Sequence, residues 1–141
     1  MTKNKINNNV KKIFILQGPN INLLNLKTST KLTTDALNKH IRKKTQEINS
    51  QSIIFQTNEE GKAVGKLQQY RKKISSIILY PGPWNKSAYS ILDLLHILKI
   101  PYITICPVGE RGIFNGITNF EGDNMLKMTD KALDFLNKEI I

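Results

Sequence analysis

Short runs of large apolar residues, each stopped by glycine, proline or polar residues, alternate along this chain with longer stretches whose apolar residues recur at helical spacing. Residues 12–17, 52–56, 76–80 and 102–106 are the short runs, rich in Ile, Phe and Tyr, and each predicts a buried strand. Helices are predicted over residues 33–49, where Leu37, Ile41 and Ile48 fall roughly in phase, and over residues 60–73. Two more are predicted over residues 87–99, with Ile91, Leu94, Leu95 and Leu98, and over residues 125–138, with Leu126, Leu133 and Leu136. These leucines read as core. Thr33 or Thr34 suits the cap of the first helix and Ser87 the start of the third. A fifth strand over residues 117–121 alternates apolar and polar, but it is short and follows a turn-rich segment holding Gly109, Gly112 and Gly116. Parallel neighbours need crossover helices on the faces of their sheet, so the alternation predicts a three-layer α/β sandwich with a mainly parallel sheet of four to five strands. Its ligand site is expected beyond the carboxyl ends of the strands. There is no internal repeat and no linker, so a polar arm over residues 1–11 is expected to lead into one domain over residues 12–141.

The chain has 141 residues, 40% of them hydrophobic, enough for one domain with a sizeable core. Lys and Arg total 21 against 11 Asp and Glu, a formal charge of +10, and the only arginines are Arg42, Arg71 and Arg111. Such a balance raises nucleic acid as a partner. The chain is equally crowded with Asn and Ile, however, and all three residue types have A/T-rich codons, so the charge reads as a solvated lysine surface rather than a nucleic-acid face. Cys106 is the sole cysteine, which leaves no intramolecular disulfide framework and no multi-cysteine zinc site. No apolar run approaches the roughly 20 residues that span a bilayer, and the first nine residues are polar. A soluble cytoplasmic protein without membrane contact is the expectation.

The loop after the first strand, Gly18-Pro19-Asn20-Ile21-Asn22-Leu23-Leu24, occupies the ligand-facing turn of such a fold. It lacks the glycine spacing of a dinucleotide loop or a Walker phosphate loop. Asn20 either presents its amide to a ligand or caps its own turn. With this loop the chain resembles the type II 3-dehydroquinases, whose first strand runs into Asn-Gly-Pro-Asn-Leu-Asn-Leu-Leu, matched here by residues 17–24. Gln56-Thr57-Asn58-Glu59-Glu60-Gly61 is similar to that family's Gln-Ser-Asn-His-Glu-Gly, and residues 77–87 (Ile-Ile-Leu-Tyr-Pro-Gly-Pro-Trp-Asn-Lys-Ser) to its Ile-Ile-Leu-Asn-Pro-Gly-Ala-Tyr-Thr-His-Thr. Asp93 falls on the family's helix aspartate, and Ile100-Pro101-Tyr102-Ile103 on its Ile-Pro-Phe-Ile. The four motifs occur in order and cover the chain from residue 12 to residue 136.

The resemblance implies a flavodoxin-like fold with strand order 2-1-3-4-5. It also implies a metal-free, cofactor-free anti elimination of water from 3-dehydroquinate, giving 3-dehydroshikimate through an enolate, in a dodecamer built from trimers. In that chemistry a tyrosine on a loop, assisted by an arginine, takes the proton. A histidine held by a carboxylate protonates the leaving hydroxyl, and an asparagine helps hold the water that stabilises the enolate. By resemblance Asn20 is that asparagine, Lys27 replaces the loop arginine without its planar fork, and Thr28-Ser29-Thr30-Lys31 leaves the tyrosine without a counterpart. Tyr80 replaces a substrate-binding asparagine, Lys86 a substrate-binding histidine, Thr104 the glutamate that orients the acid, and Cys106 the general-acid histidine. Pro107 has no N–H where the family binds the substrate carboxylate through main-chain donors, whereas Val108 still offers one. Arg111 matches the arginine of the next segment if a small deletion precedes it, and the later arginine there becomes Asn115. Asn20, Lys27 and Cys106 are thus the candidate catalytic positions, with Tyr80, Lys86, Asp93, Val108 and Arg111 as candidate substrate contacts.

Two rescues are conceivable: Cys106 as the acid, and Tyr80 swinging in as the base. A buried, inert cysteine is the plainer reading of Cys106. His40 and His96 lie in predicted helices without a carboxylate at obvious spacing and read as surface or packing residues. Trp84 packs over the pocket or at a subunit contact. The expectation is a dehydratase homologue with activity impaired or lost, binding a small anion as a homo-oligomer. Its alternative is a catalytically silent scaffold or anion binder of the same fold.

Overall fold

The computed structural model describes residues 10–27 and 31–140. Five strands, β1 (Lys11–Gln17), β2 (Ser50–Gln56), β3 (Ser76–Tyr80), β4 (Tyr102–Cys106) and β5 (Thr118–Glu121), form one sheet of order β2-β1-β3-β4-β5. Every pairing is parallel, with Gln17 opposite both Gln56 and Tyr80, Leu79 opposite Thr104, and Cys106 opposite Glu121. Three helices cross over between strands, α1 (Thr34–Glu47), α2 (Glu60–Tyr70) and α3 (Tyr89–Leu98), and α4 (Met125–Glu139) follows β5.

Residues alternate between the two faces of a strand, so each central strand feeds two cores. Ile13, Ile15, Ile78, Tyr80, Ile103 and Ile105 pack with Leu37 and Ile41 of α1 and Leu133 and Leu136 of α4. On the other face, Phe14, Leu16, Ile77 and Leu79 pack with Ala63 and Leu67 of α2 and Ile91, Leu94 and Leu95 of α3. Leu98 is partly buried against this second core. The flavodoxin-like three-layer sandwich and the 2-1-3-4-5 order are therefore as expected, and the fifth strand is present from Thr118.

Several local expectations change. Thr33 does cap α1, its hydroxyl accepting from the Ala36 N–H at 3.1 Å, and Asn124 caps α4 in the same manner through Lys127 N–H. Ser87, expected to start α3, instead closes a 3₁₀ segment over Gly82–Lys86, and α3 begins at Tyr89 behind an uncapped Ala88. The helix predicted to reach residue 73 stops at Tyr70, followed by a turn in which Lys73 N–H bonds the Tyr70 carbonyl. Trp84 lies neither over an open pocket nor at an exposed contact: it is 5% exposed and belongs to the second core. His40 is not without a carboxylate. Its Nε2 lies 2.7 Å from Asp130 Oδ1, joining α1 to α4 across 90 residues of sequence, a spacing no local pattern displays. Among the described residues, no helix is long and apolar enough to cross a membrane.

Candidate active site

The parallel sheet collects its candidate site residues in the loops beyond the carboxyl ends of β1, β3 and β4. Gly18, the residue after β1, donates its N–H to the Tyr80 carbonyl at 2.8 Å. A side chain there has no room, because a Cβ atom would stand 2.6 Å from the Pro81 carbonyl oxygen and 2.8 Å from the Trp84 ring. The β1 and β3 loops are thus pressed together at backbone distance. The β2 loop braces them, since Gln56 Nε2 donates to the Gly18 carbonyl at 3.1 Å and to Asn58 Oδ1 at 3.2 Å.

Asn20 adopts the left-handed conformation, φ 70°, and its N–H donates to Asn58 Oδ1 at 3.1 Å. Its side chain does not cap the 3₁₀ turn Ile21–Leu23 that it precedes, and the residue is exposed. The amide is therefore left for solvent or a ligand. Lys27 ends a single helical turn, Leu24–Lys27, and residues 28–30, the loop expected to lack the tyrosine base, lie outside the described residues.

A cavity of about 240 Å³ lies between the β3 and β4 loops, lined by Gly82, Pro83, Asn85, Lys86, Gly109, Glu110 and Arg111. It brings together Lys86 and Arg111, two of the expected anion contacts. Asn85, 4% exposed, holds the walls: its Nδ2 donates to the Glu110 carbonyl at 3.0 Å, and its own carbonyl accepts from Ile113 N–H at 2.8 Å. Arg111 is steadied by the Phe114 carbonyl at 3.5 Å and Asn115 Oδ1 at 3.3 Å. Two cations and one carboxylate give this lining a net positive charge, suited to a small anion. Asn20, Asp93, Cys106 and Val108 stand outside the lining, with Asp93 exposed on α3 and Val108 69% exposed.

Asn85 and Glu110 were not among the expected site residues. Asn85 lies inside a motif that the resemblance covers, but its wall-building role depends on the fold of residues 109–113.

Tyr80 and Cys106 do not meet. Tyr80 shares its face with Ile78, whereas Cys106 alternates with Ile103 and Ile105 and so leaves the other face. Tyr80 is 1% exposed, and its hydroxyl shares a 2.7 Å hydrogen bond with Thr129 of α4. Burial pushes the phenol far above its ordinary value; the Thr129 bond offsets part of this and the Asp130 charge adds to it. Reading Tyr80 as a substrate contact or a swinging base conflicts with this placement, since the side chain fills the core between the sheet and α4. The Cys106 thiol is buried and also raised, first by desolvation and then by the nearby Glu121, with Arg111 opposing and Glu110 adding. It is held neutral, as the inert reading requires. Thr104 Oγ1 bonds Asn119 Oδ1 at 2.5 Å rather than orienting Cys106.

A pH dependence follows from Tyr80. A phenol that holds its proton more tightly in the folded chain than in the unfolded one contributes fully below about pH 10 and loses stability above it, at about 1.4 kcal/mol per pH unit. Unfolding free energies of the protein and of Tyr80→Phe, measured by urea titration at about pH 9 and about pH 11, should therefore diverge by about 1.4 kcal/mol in favour of the variant at the higher pH. An unchanged difference would mean that the phenol reaches solvent.

The fold and the loops together define a flavodoxin-like α/β protein with an anion-suited cavity beside the carboxyl edge of its sheet. The profile of the family described as Dehydroquinase class II matches residues 11–114. The 3-dehydroquinate dehydratase of Caldicellulosiruptor bescii is 31% identical over 100 residues, 68% of this chain and 69% of that protein. That of Endomicrobium trichonymphae is 32% identical over 99 residues, with the same coverage. The crystal structure of type II dehydroquinase from Butyrivibrio crossotus superposes with a TM-score of 0.80 at 25% identity, covering 92% of this chain and 99% of that one. A 3-dehydroquinate dehydratase-like protein from Bifidobacterium longum shares the fold at a TM-score of 0.68 and 17% identity, over 91% of this chain and 96% of that one. The chain belongs to the class II dehydroquinase family.

Proposed function

We propose that this chain is a divergent 3-dehydroquinate dehydratase homologue that holds a small carboxylate anion of the substrate class but dehydrates it poorly or not at all. The observation that carries this reading is the placement of Tyr80 and Cys106, both buried and on opposite faces of the sheet, so that the two rescue groups form no acid–base pair around one ligand. Lys86 and Arg111, sharing one cavity, support retained anion binding. Lys27 stays a candidate for the cation of the first loop, and Asn20 and Val108 for its uncharged contacts. A homo-oligomer, a single domain from residue 12 and a cytoplasmic location complete the proposal. The exposed apolar residues Leu26, Tyr89 and Ile97 are compatible with subunit contacts.

The test is 3-dehydroshikimate formation from 3-dehydroquinate, followed by ultraviolet absorbance beside the Caldicellulosiruptor bescii relative. Loss of one acid or base group costs about 10²- to 10⁴-fold, so turnover here should fall at least about 10⁴-fold below that relative. Cys106→Ala should leave any residue of it unchanged. Calorimetry should detect 3-dehydroquinate binding that Lys86→Ala with Arg111→Ala removes. Turnover matching the relative would overturn the reading, and absence of binding in folded protein would favour the silent scaffold.

A further inference from the structure

The opposite edge of the sheet, where the strands begin, carries a second charged feature. Lys11, Lys12, Lys72 and Lys73, together with Ser75, line an open cleft of about 390 Å³ between the start of β1 and the turn that follows α2. The two segments are locked to each other: Ser75 N–H donates to the Lys12 carbonyl at 2.9 Å and its hydroxyl to the same oxygen at 3.3 Å, across 63 residues of sequence. Lys73 Nζ lies 5.7 Å from the centroid of the Tyr70 ring, which itself packs on Phe14 at 5.8 Å between centroids. The two segments that carry these lysines are thus fixed to each other.

No acid lines the cleft. Among the described residues the ion pairs are His40–Asp130, Lys44–Asp134 and Lys62–Glu59, none of which draws on these four lysines. Four lysines lining one cleft without a carboxylate raise the local potential and concentrate anions there. An ammonium is a compact charge without the planar fork of arginine, so the cleft selects charge density rather than carboxylate geometry. We propose that this cleft binds a chain of linked phosphates carrying three or more negative charges, free or as the triphosphate of a nucleotide. The site is separate from the Lys86 and Arg111 cavity and independent of the reading proposed for it: seven residues of β1, about 23 Å, separate the two edges of the sheet.

Calorimetry on the full chain, titrated with inorganic triphosphate, orthophosphate, a nucleoside triphosphate and a short single-stranded oligonucleotide, tests this. Inorganic triphosphate should bind at least about tenfold more tightly than orthophosphate, and raising the salt about tenfold should weaken it at least about fivefold. Lys11→Ala with Lys72→Ala should cost about tenfold, Lys11→Arg with Lys72→Arg should retain binding, and Lys39→Ala with Lys131→Ala, on exposed positions of α1 and α4, should change nothing. Equal affinity for the inorganic and nucleoside forms assigns recognition to the phosphates alone, and a tighter nucleoside form assigns the source to nucleotides. The proposal is overturned by orthophosphate binding equally well, by the alanine pair binding like the unaltered chain, or by an oligonucleotide that outcompetes triphosphate, which would make the surface a nucleic-acid face.

Discussion

Gly112→Ala should destabilise the protein by about 3 kcal/mol or more and lower its melting midpoint by roughly 10 °C, with loss of anion binding at the Lys86 cavity. A Cβ atom at this position would stand 2.0 Å from the Asn85 carbonyl oxygen and 2.7 Å from its carbonyl carbon. Neither is the end of a flexible side chain. That carbonyl already accepts from Ile113 N–H at 2.8 Å, so moving it away breaks the bond that seats residues 112–113 against the β3 loop. Asn85 also ties down the Glu110 carbonyl, and the displacement would therefore open the wall carrying Arg111. Thermal melts and calorimetry on the variant check both effects. A variant that melts with the unaltered protein would show that the two loops do not approach this closely.

Phe114→Ala should cost about 3–5 kcal/mol, because an aromatic side chain that is 1% exposed leaves a void within a packed core. Phe114 joins the core of Leu79, Trp84 and Ile91 and is the apolar anchor of the otherwise exposed run from Val108 to Gly112. Its backbone carbonyl, with Asn115, steadies the Arg111 guanidinium. The expected result is a lower denaturant midpoint together with anion affinity reduced about as far as in Arg111→Ala, measured on the folded fraction. Phe114→Leu, which keeps most of the volume, should recover most of both. Anion binding untouched by Phe114→Ala would separate the anchor from the site.

The strands β3 and β4 were legible to the residue, because continuous Ile, Leu and Tyr runs bounded by polar residues belong to strands buried on both faces. The core leucines of α3 and α4 followed from spacing, whereas the cap, open between Thr33 and Thr34 in the sequence, was settled for Thr33 by the structure. Boundaries failed where the backbone made turns that spacing does not signal: residues 82–86 coil into a 3₁₀ segment and displace the start of α3 from Ser87 to Tyr89. At the site, the resembling motifs fall on the loops after β1, β2 and β3, and Lys86 and Arg111 line one cavity. Tyr80 was read as a pocket residue because its position in the motif says nothing of which face its side chain leaves or that Thr129 waits there.

The amino-acid sequence by itself determined the alternation of strands and helices, the parallel sheet with its two cores, and membership of a family whose motifs survive in order. These depend on local patterns of burial and on turns a few residues long, which neighbouring positions encode. Only the tertiary structure decided that Tyr80 and Cys106 face apart, that His40 meets Asp130, that Asn85 builds the cavity wall, and that four lysines from two distant segments share one cleft. Each of these depends on residues distant in sequence that the fold brings together or holds apart, an arrangement that sequence spacing leaves unspecified.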